Sequence, residues 1–242
     1  MCNYLLSMNC RKFFVYFVAI FTAVVLLLVV LSPGNHLKLG DVFFGRVPSL
    51  YNVNLAQRFY IYASYPLLGN EKEFAHYQLS RTYFIKGDME EALKEARLEL
   101  EKYPDNYRTY YILGLTLGYM DRELEAIEAF SEFIEVNPNS WAARNDKAWL
   151  QFRIGDIDGA LETIEPVSNV LNPWVKNTYG TILLNLNRKD EARQAFLDAK
   201  AIVERMSEED WGRAYPGNDP RIYQTGLSAM MTSIDNNLKL TE

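Results

Sequence analysis

The chain has 242 residues, 49% hydrophobic and 14% aromatic, which is ample for a buried core and argues against intrinsic disorder. Its net charge is −6, and because Arg11 and Lys12 are the only charged side chains before Lys38, the remainder is more negative still, a surface that repels a phosphate backbone and disfavours nucleic acid as a partner. Both cysteines, Cys2 and Cys10, precede the first apolar run, so the rest of the chain has no thiol for a disulfide, a zinc site or nucleophilic catalysis.

After a short flank over residues 1–12, Phe13 to Leu31 forms an uncharged apolar run of nineteen residues. A helix of that length spans roughly the hydrocarbon core of a bilayer and satisfies its own backbone polar groups. Arg11, Lys12 and the aromatic residues Phe13, Phe14, Tyr16 and Phe17 mark its start, and Ser32-Pro33-Gly34-Asn35 ends it, so residues 13–31 are predicted to be a transmembrane helix. The run is longer than the apolar core of a signal peptide, and no Ala-x-Ala site follows it. The charges before it weakly favour a single-pass arrangement with the following domain on the extracytoplasmic side. Residues 32–72 read as a juxtamembrane segment. It contains a predicted helix over Asn54–Tyr65, an N-terminal cap or a decayed repeat, with Leu55, Phe59 and Tyr62 on one face, and Phe43, Phe44 and Tyr51 have lipid headgroups as an alternative environment.

From residue 73 the sequence repeats at a period near 34. Ala92, Ala126, Ala160 and Ala192 recur inside acidic helical segments, where a small side chain lets two helices approach closely. Pro104, Pro138 and Pro173 recur between hairpins, and Gly87-Asp88, Gly155-Asp156 and Asn187 mark tight turns within them. The spacing predicts helices over 74–86, 89–102, 107–119, 122–136, 141–153, 157–170, 174–186 and 189–206. Pro166 should kink or shorten the sixth.

These residues resemble the tetratricopeptide-repeat (TPR) family over about residues 73–206. The family pattern is matched best by Tyr110, Leu113, Gly114, Ala126, Phe130 and Pro138, then by Tyr179, Gly180, Leu183, Ala192, Phe196 and Ala199. Units one and three are looser, with Ser80 and Ala148 in place of Gly, Glu99 and Val167 in place of the late Ala, and Gln151 in an aromatic's place. The resemblance implies an all-α helical-hairpin solenoid wound as a right-handed superhelix, with four repeats at 73–106, 107–140, 141–172 and 173–206. Each pair is too small to hide its own apolar face, so neighbours share one core.

Residues 207–242 are predicted to be a linker and a C-terminal capping helix, which starts near Asp219-Pro220 and carries Tyr223, Leu227, Met230, Ile234 and Leu238 on one face. Trp211 and Tyr215 are expected to pack on the last hairpin. Chemistry is poorly served. His36 and His76 are the only histidines, His76 falls at a packing position, and no phosphate loop, zinc spacing or nucleophile elbow occurs, so no catalytic residue, metal or cofactor is expected.

In the family it resembles, the first helix of each pair lines a concave groove that takes peptides. Transferred by register, the groove residues are Tyr77, Arg81, Arg108, Tyr111, Asn145, Asp146, Trp149, Asn177 and Thr181, joined by Leu115, Phe152 and Thr178. The carboxylate clamp of some members is absent, since Tyr77, Arg81, Ile112, Ala142 and Asp146 stand at its positions. The expected function is a membrane-anchored scaffold that binds a protein or peptide partner, in envelope assembly or secretion, with no small-molecule substrate. The alternative is a structural subunit of a larger membrane complex that uses its convex face and C-terminal helix.

Overall fold

The computed structural model describes residues 15–24, 32–67, 69–214 and 226–242, and the regular structure of these residues is helical throughout. They fall into two compact units, residues 1–79 and 80–242, with the boundary inside one helix.

In the N-terminal unit, residues 15–24 form helix α1, whose side chains are all exposed. The predicted transmembrane span covers α1 but also residues 13–14 and 25–31, which lie outside the described residues. Among the described residues no helix is long and apolar enough to cross a membrane. Helix α2 (Pro33–Asp41) opens with proline in its first turn, where no N–H is needed, and α3 (Val53–Ser64) is capped by Asn52, whose Oδ1 accepts from the Leu55 N–H at 3.0 Å. Between them the chain makes a π-helical turn (Val42–Arg46) and a 3-10 turn (Pro48–Leu50), and Gly45 takes a φ of 121°. The two helices meet at Gly40, where any Cβ would overlap the Tyr60 ring. Tyr60 is fully buried and its hydroxyl donates to Asp41 at 2.9 Å; Asp41 also accepts from Gln78 at 2.8 Å.

This packing corrects the predicted face of α3. The buried side is Ala56, Tyr60 and Ala63, whereas Leu55 and Phe59 are half-buried and Tyr62 is exposed. Phe59 stacks on Phe43, and His36 lies against Phe59 and Tyr62. His76, at the start of helix α4 (Ala75–Lys86), is fully buried, 3.2 Å from Glu71 and edge-on to Tyr65, the environment of a core histidine.

In the C-terminal unit the end of α4 leads into α5 (Met89–Lys102), followed by the hairpins α6 (Arg108–Tyr119) with α7 (Glu123–Val136), α8 (Trp141–Arg153) with α9 (Ile157–Ile164), and α10 (Pro173–Asn185) with α11 (Lys189–Val203). The turns within the hairpins need a left-handed residue, supplied by Gly87 (φ 81°), Asp121 (φ 55°), Gly155 (φ 86°) and Asn187 (φ 59°). Asp156 also caps α9, accepting from the Gly159 N–H, whereas the Asp88 side chain makes no capping bond to α5. Pro166 shortens the sixth predicted helix: α9 ends at Ile164 and a 3-10 turn (Glu165–Val167) follows. Pro104 and Pro138 lie in the loops between hairpins, while Pro173 opens α10 behind the cap Asn172, which accepts from the Trp174 and Val175 N–H groups.

Each hairpin is held where a small residue on its first helix faces a residue sixteen positions later on its second. A Cβ on Gly114 would lie 2.9 Å from the Phe130 ring, and one on Gly180 would lie 2.6 Å from the Phe196 ring. In the third hairpin Ala148 replaces the glycine and the smaller Ile164 replaces the phenylalanine, both within one core cluster. In the first, Ser80 donates to the Ala92 carbonyl at 2.8 Å, and Ala96 stands at the phenylalanine position. The other irregular residues are also accommodated. Glu99 is buried and accepts from Asn106 at 2.8 Å, and Gln151 accepts from Thr163 and donates to Asp156.

The last hairpin does not end in water. Helix α12 (Glu208–Ala214) brings Trp211 onto Trp174, ring centroids 3.9 Å apart, and α13 (Gly226–Lys239) adds Leu227, Met230, Ile234 and Leu238 to the same cluster. Lys200 pairs with Asp235 at 2.6 Å. From Gly226 onward α13 packs on this cluster; the predicted helix start at Asp219-Pro220, with Tyr215 and Tyr223, lies outside the described residues.

Candidate functional site

The first helices of successive hairpins present one side to a cavity of about 670 Å³ within the C-terminal unit. Helix α6 contributes Gly114, Leu115 and Gly118; α8 contributes Asn145, Asp146 and Trp149; α10 contributes Trp174, Asn177 and Thr178. Helix α13 adds Gly226, Ala229 and Ser233 and the larger Met230 to the lining.

Asp146 is an ionisable group that the packing perturbs strongly. Tyr111 on α6 donates its hydroxyl to Oδ2 at 3.1 Å, and Asn145 donates to Oδ1 at 3.4 Å. Burial disfavours the carboxylate and outweighs both hydrogen bonds, so the group is pushed up from 3.8 to about 7. At the cavity edge, Arg153 reaches both Asp121 (3.0 Å) and Glu123 (2.9 Å). The Asn177 side-chain Oδ1 accepts from Asn237 of α13 at 3.2 Å, so the cap helix helps fix the wall. Trp149 is 43% exposed and stacks on Phe152, whereas Trp174 and Trp211 are almost entirely buried walls.

Of the residues singled out from the sequence, Asn145, Asp146, Trp149 and Asn177 line this cavity, as do Leu115 and Thr178. Tyr111 lies behind the lining, where its ring packs on Phe130 and Phe133 and its hydroxyl holds Asp146. Thr181 turns its hydroxyl back to the Asn177 backbone carbonyl at 2.9 Å. Arg108 is exposed, Arg81 is half-buried, and neither lines the cavity. Tyr77 belongs to the N-terminal unit, edge-on to Phe74. Sequence reasoning missed Asp121, Arg153, Trp174 and the α13 wall. The one signal for that wall was the set of small residues Gly226, Ala229 and Ser233 on the side of α13 that flanks its apolar stripe. Among the described residues, no group of three His, Cys, Asp or Glu side chains could hold a metal ion.

Hairpins of this period, stacked through shared cores with first helices lining a common recess, define a TPR-type solenoid. The tetratricopeptide-repeat family model matches residues 111–165. Solved structures with the same fold include YrrB, described as a TPR protein with an unusual peptide-binding site, at 20% identity over 69% of this chain and 84% of that one, with a TM-score of 0.57. TTC0263, a thermophilic TPR protein of Thermus thermophilus, aligns at 16% identity over 85% of this chain and 100% of its own, also at 0.57. MamA of Desulfovibrio magneticus RS-1 aligns at 15% identity over 69% and 94%, at 0.50. Likeness at these identities defines the fold and nothing finer. No curated protein matches the chain by sequence.

Proposed function

We propose that the chain is a membrane-anchored interaction module that binds a polypeptide segment of a partner in the cavity lined by α6, α8 and α10, with envelope assembly or secretion as its setting. The observation that carries this reading is the cavity itself. At about 670 Å³ it has apolar walls around a few convergent polar groups, Asn145, Asp146 and Asn177, which is the composition of a recognition site rather than of a packing defect. Asn amides can donate to and accept from a peptide backbone, and an exposed indole such as Trp149 is a frequent interface anchor. A peptide site on this fold also has a counterpart in the one ascribed to YrrB. For this chain the contact residues are Asn145, Asp146, Trp149 and Asn177. Tyr111 is a positioning residue behind Asp146.

Anchoring is assigned to residues 13–31. In α1, Tyr16, Phe17, Ile20 and Phe21 are each 58–67% exposed, an apolar surface that water does not favour and lipid does.

The test is panning of a random peptide library on the full chain in detergent micelles. Recovered peptides should bind Trp149→Ala roughly ten- to a hundredfold more weakly, the cost of removing an anchor residue. Peptides that bind the variant and the wild type equally would place recognition elsewhere.

A further inference from the structure

Residues 32–67 differ from the rest of the chain in what they show to solvent. Their charged side chains are Lys38, Asp41, Arg46 and Arg58. The three cations are exposed, whereas Asp41 is half-buried and accepts from Tyr60 and Gln78. The outward charge of this stretch is therefore positive in a chain of net charge −6.

Eight consecutive residues of the same stretch, 45–52, are exposed, yet they are not a slack linker. The Asn52 N–H closes the base of this loop on the Phe43 carbonyl at 2.8 Å, and inside it the Leu50 N–H donates to the Val47 carbonyl at 2.9 Å and the Tyr51 N–H to the Pro48 carbonyl at 3.2 Å. Phe43 stacks on Phe59 and Phe44 lies edge-on to Tyr60, which ties the base to α3. The tip thus holds Val47 (36% exposed), Leu50 (48%) and Tyr51 (48%) in water beside Arg46, with no acidic residue among them. Ordering a loop costs conformational entropy, and an apolar tip left in water returns none of it, a combination that marks a contact surface.

What precedes the loop in the chain fixes the medium it meets. Ser32, the residue after the apolar run, is joined to the loop by helix throughout, Pro33–Asp41 and then Val42–Arg46. At about 1.5 Å of rise per residue, Arg46 lies within roughly 20 Å of Ser32, in reach of the bilayer surface at which a span over residues 13–31 would end. We infer that residues 45–52 are a second lipid contact, in which Val47, Leu50 and Tyr51 enter the headgroup layer and the exposed cations Lys38, Arg46 and Arg58 are drawn to anionic headgroups; this rests on the anchoring reading above. Tyrosine suits that level, with an apolar ring and a polar hydroxyl. Because the anchor already holds the loop at the surface, a contact too weak to bind membranes alone is populated here.

The test uses the full chain in liposomes of phosphatidylcholine and phosphatidylglycerol, with Cys2→Ser and Cys10→Ser and one new attachment point, Leu50→Cys, for an environment-sensitive fluorophore. Leu171→Cys, at an 82% exposed site in the repeats, is the reference. Expected is a blue-shifted label at position 50 that a doxyl-labelled lipid quenches and iodide on both faces of the membrane does not, with the reverse at position 171. The ratio of lipid-facing to water-facing label at position 50 should fall about fivefold on Arg46→Gln, the effect of one cation at an anionic surface. Unchanged circular dichroism of the variants keeps misfolding out of the comparison. A ratio unmoved both by Arg46→Gln and by omission of phosphatidylglycerol overturns the role of the cations. A label at position 50 that iodide reaches as freely as at position 171, in a chain that still floats with the vesicles, overturns the loop contact and leaves the anchor standing. Shielding from iodide that grows with protein density, without quenching by lipid, assigns the loop to a second copy of the chain and overturns the lipid contact as well. A chain that does not float overturns both readings.

Discussion

At Asp146 burial and hydrogen bonding act in opposite directions, and burial prevails. The folded-state value of about 7 exceeds the ordinary 3.8, so the native state binds this proton more tightly than the unfolded chain does. The resulting stabilisation is fully present below about pH 4 and is lost as pH rises through 7. Asparagine mimics the protonated acid and can still accept from Tyr111. Asp146→Asn should therefore gain on the wild type between pH 4 and pH 8 by on the order of 2–4 kcal/mol, read by urea unfolding at each pH. A constant difference across that range would remove burial as the cause. The residue type and its place on the inner helix can be read from the repeat register, but its proton affinity cannot. That depends on Tyr111, thirty-five positions earlier, and on how much water the neighbouring helices exclude.

Between elements, the deciding quantity is the paired volume at the hairpin crossing. Gly114 with Phe130 and Gly180 with Phe196 put a ring where a methyl group would otherwise stand, while Ala148 with Ile164 shares the same space differently. Gly114→Ala should cost about 1–3 kcal/mol by overpacking. Phe130→Ile should cost less in that background than in the wild type, a favourable coupling that a double-mutant cycle by urea denaturation would detect. Additive costs would show that the two sites do not compete for one volume. At the C-terminal end Ile234 is fully buried against the last hairpin, so Ile234→Ala should cost about 2–5 kcal/mol, and sedimentation of that variant should reveal self-association as the Trp174 and Trp211 cluster is exposed. The hairpins were legible because their signals are local: Gly87, Gly155 and Asn187 supply the turns, and Pro166 stops α9 within two residues. The buried face of α3 was not. That helix carries two apolar stripes of similar strength, and what selects Ala56, Tyr60 and Ala63 is Gly40, a residue on another helix that leaves room for the Tyr60 ring.

For the chain as a whole, the proposed anchoring by the apolar run near the N-terminus predicts partition into lipid. Reconstituted into liposomes, the full chain should float with the vesicles and resist an alkaline carbonate wash. Val18→Arg together with Val24→Lys should release it, since each charge at mid-bilayer costs about 2.5–3.5 kcal/mol. Retention of the double variant would mean that something other than this run holds the chain to lipid. By itself the sequence determined the helical class, the hairpin period and the turns at Gly87, Gly155 and Asn187, because in a stacked repeat each unit is specified by residues within its own span and its nearest neighbours. Only the tertiary structure decided which of the inner-helix residues share a cavity, that α13 walls it, and that Arg153 is already engaged by Asp121 and Glu123. A cavity is the space that distant elements fail to fill, and its volume and charge balance depend on side chains far apart in the chain.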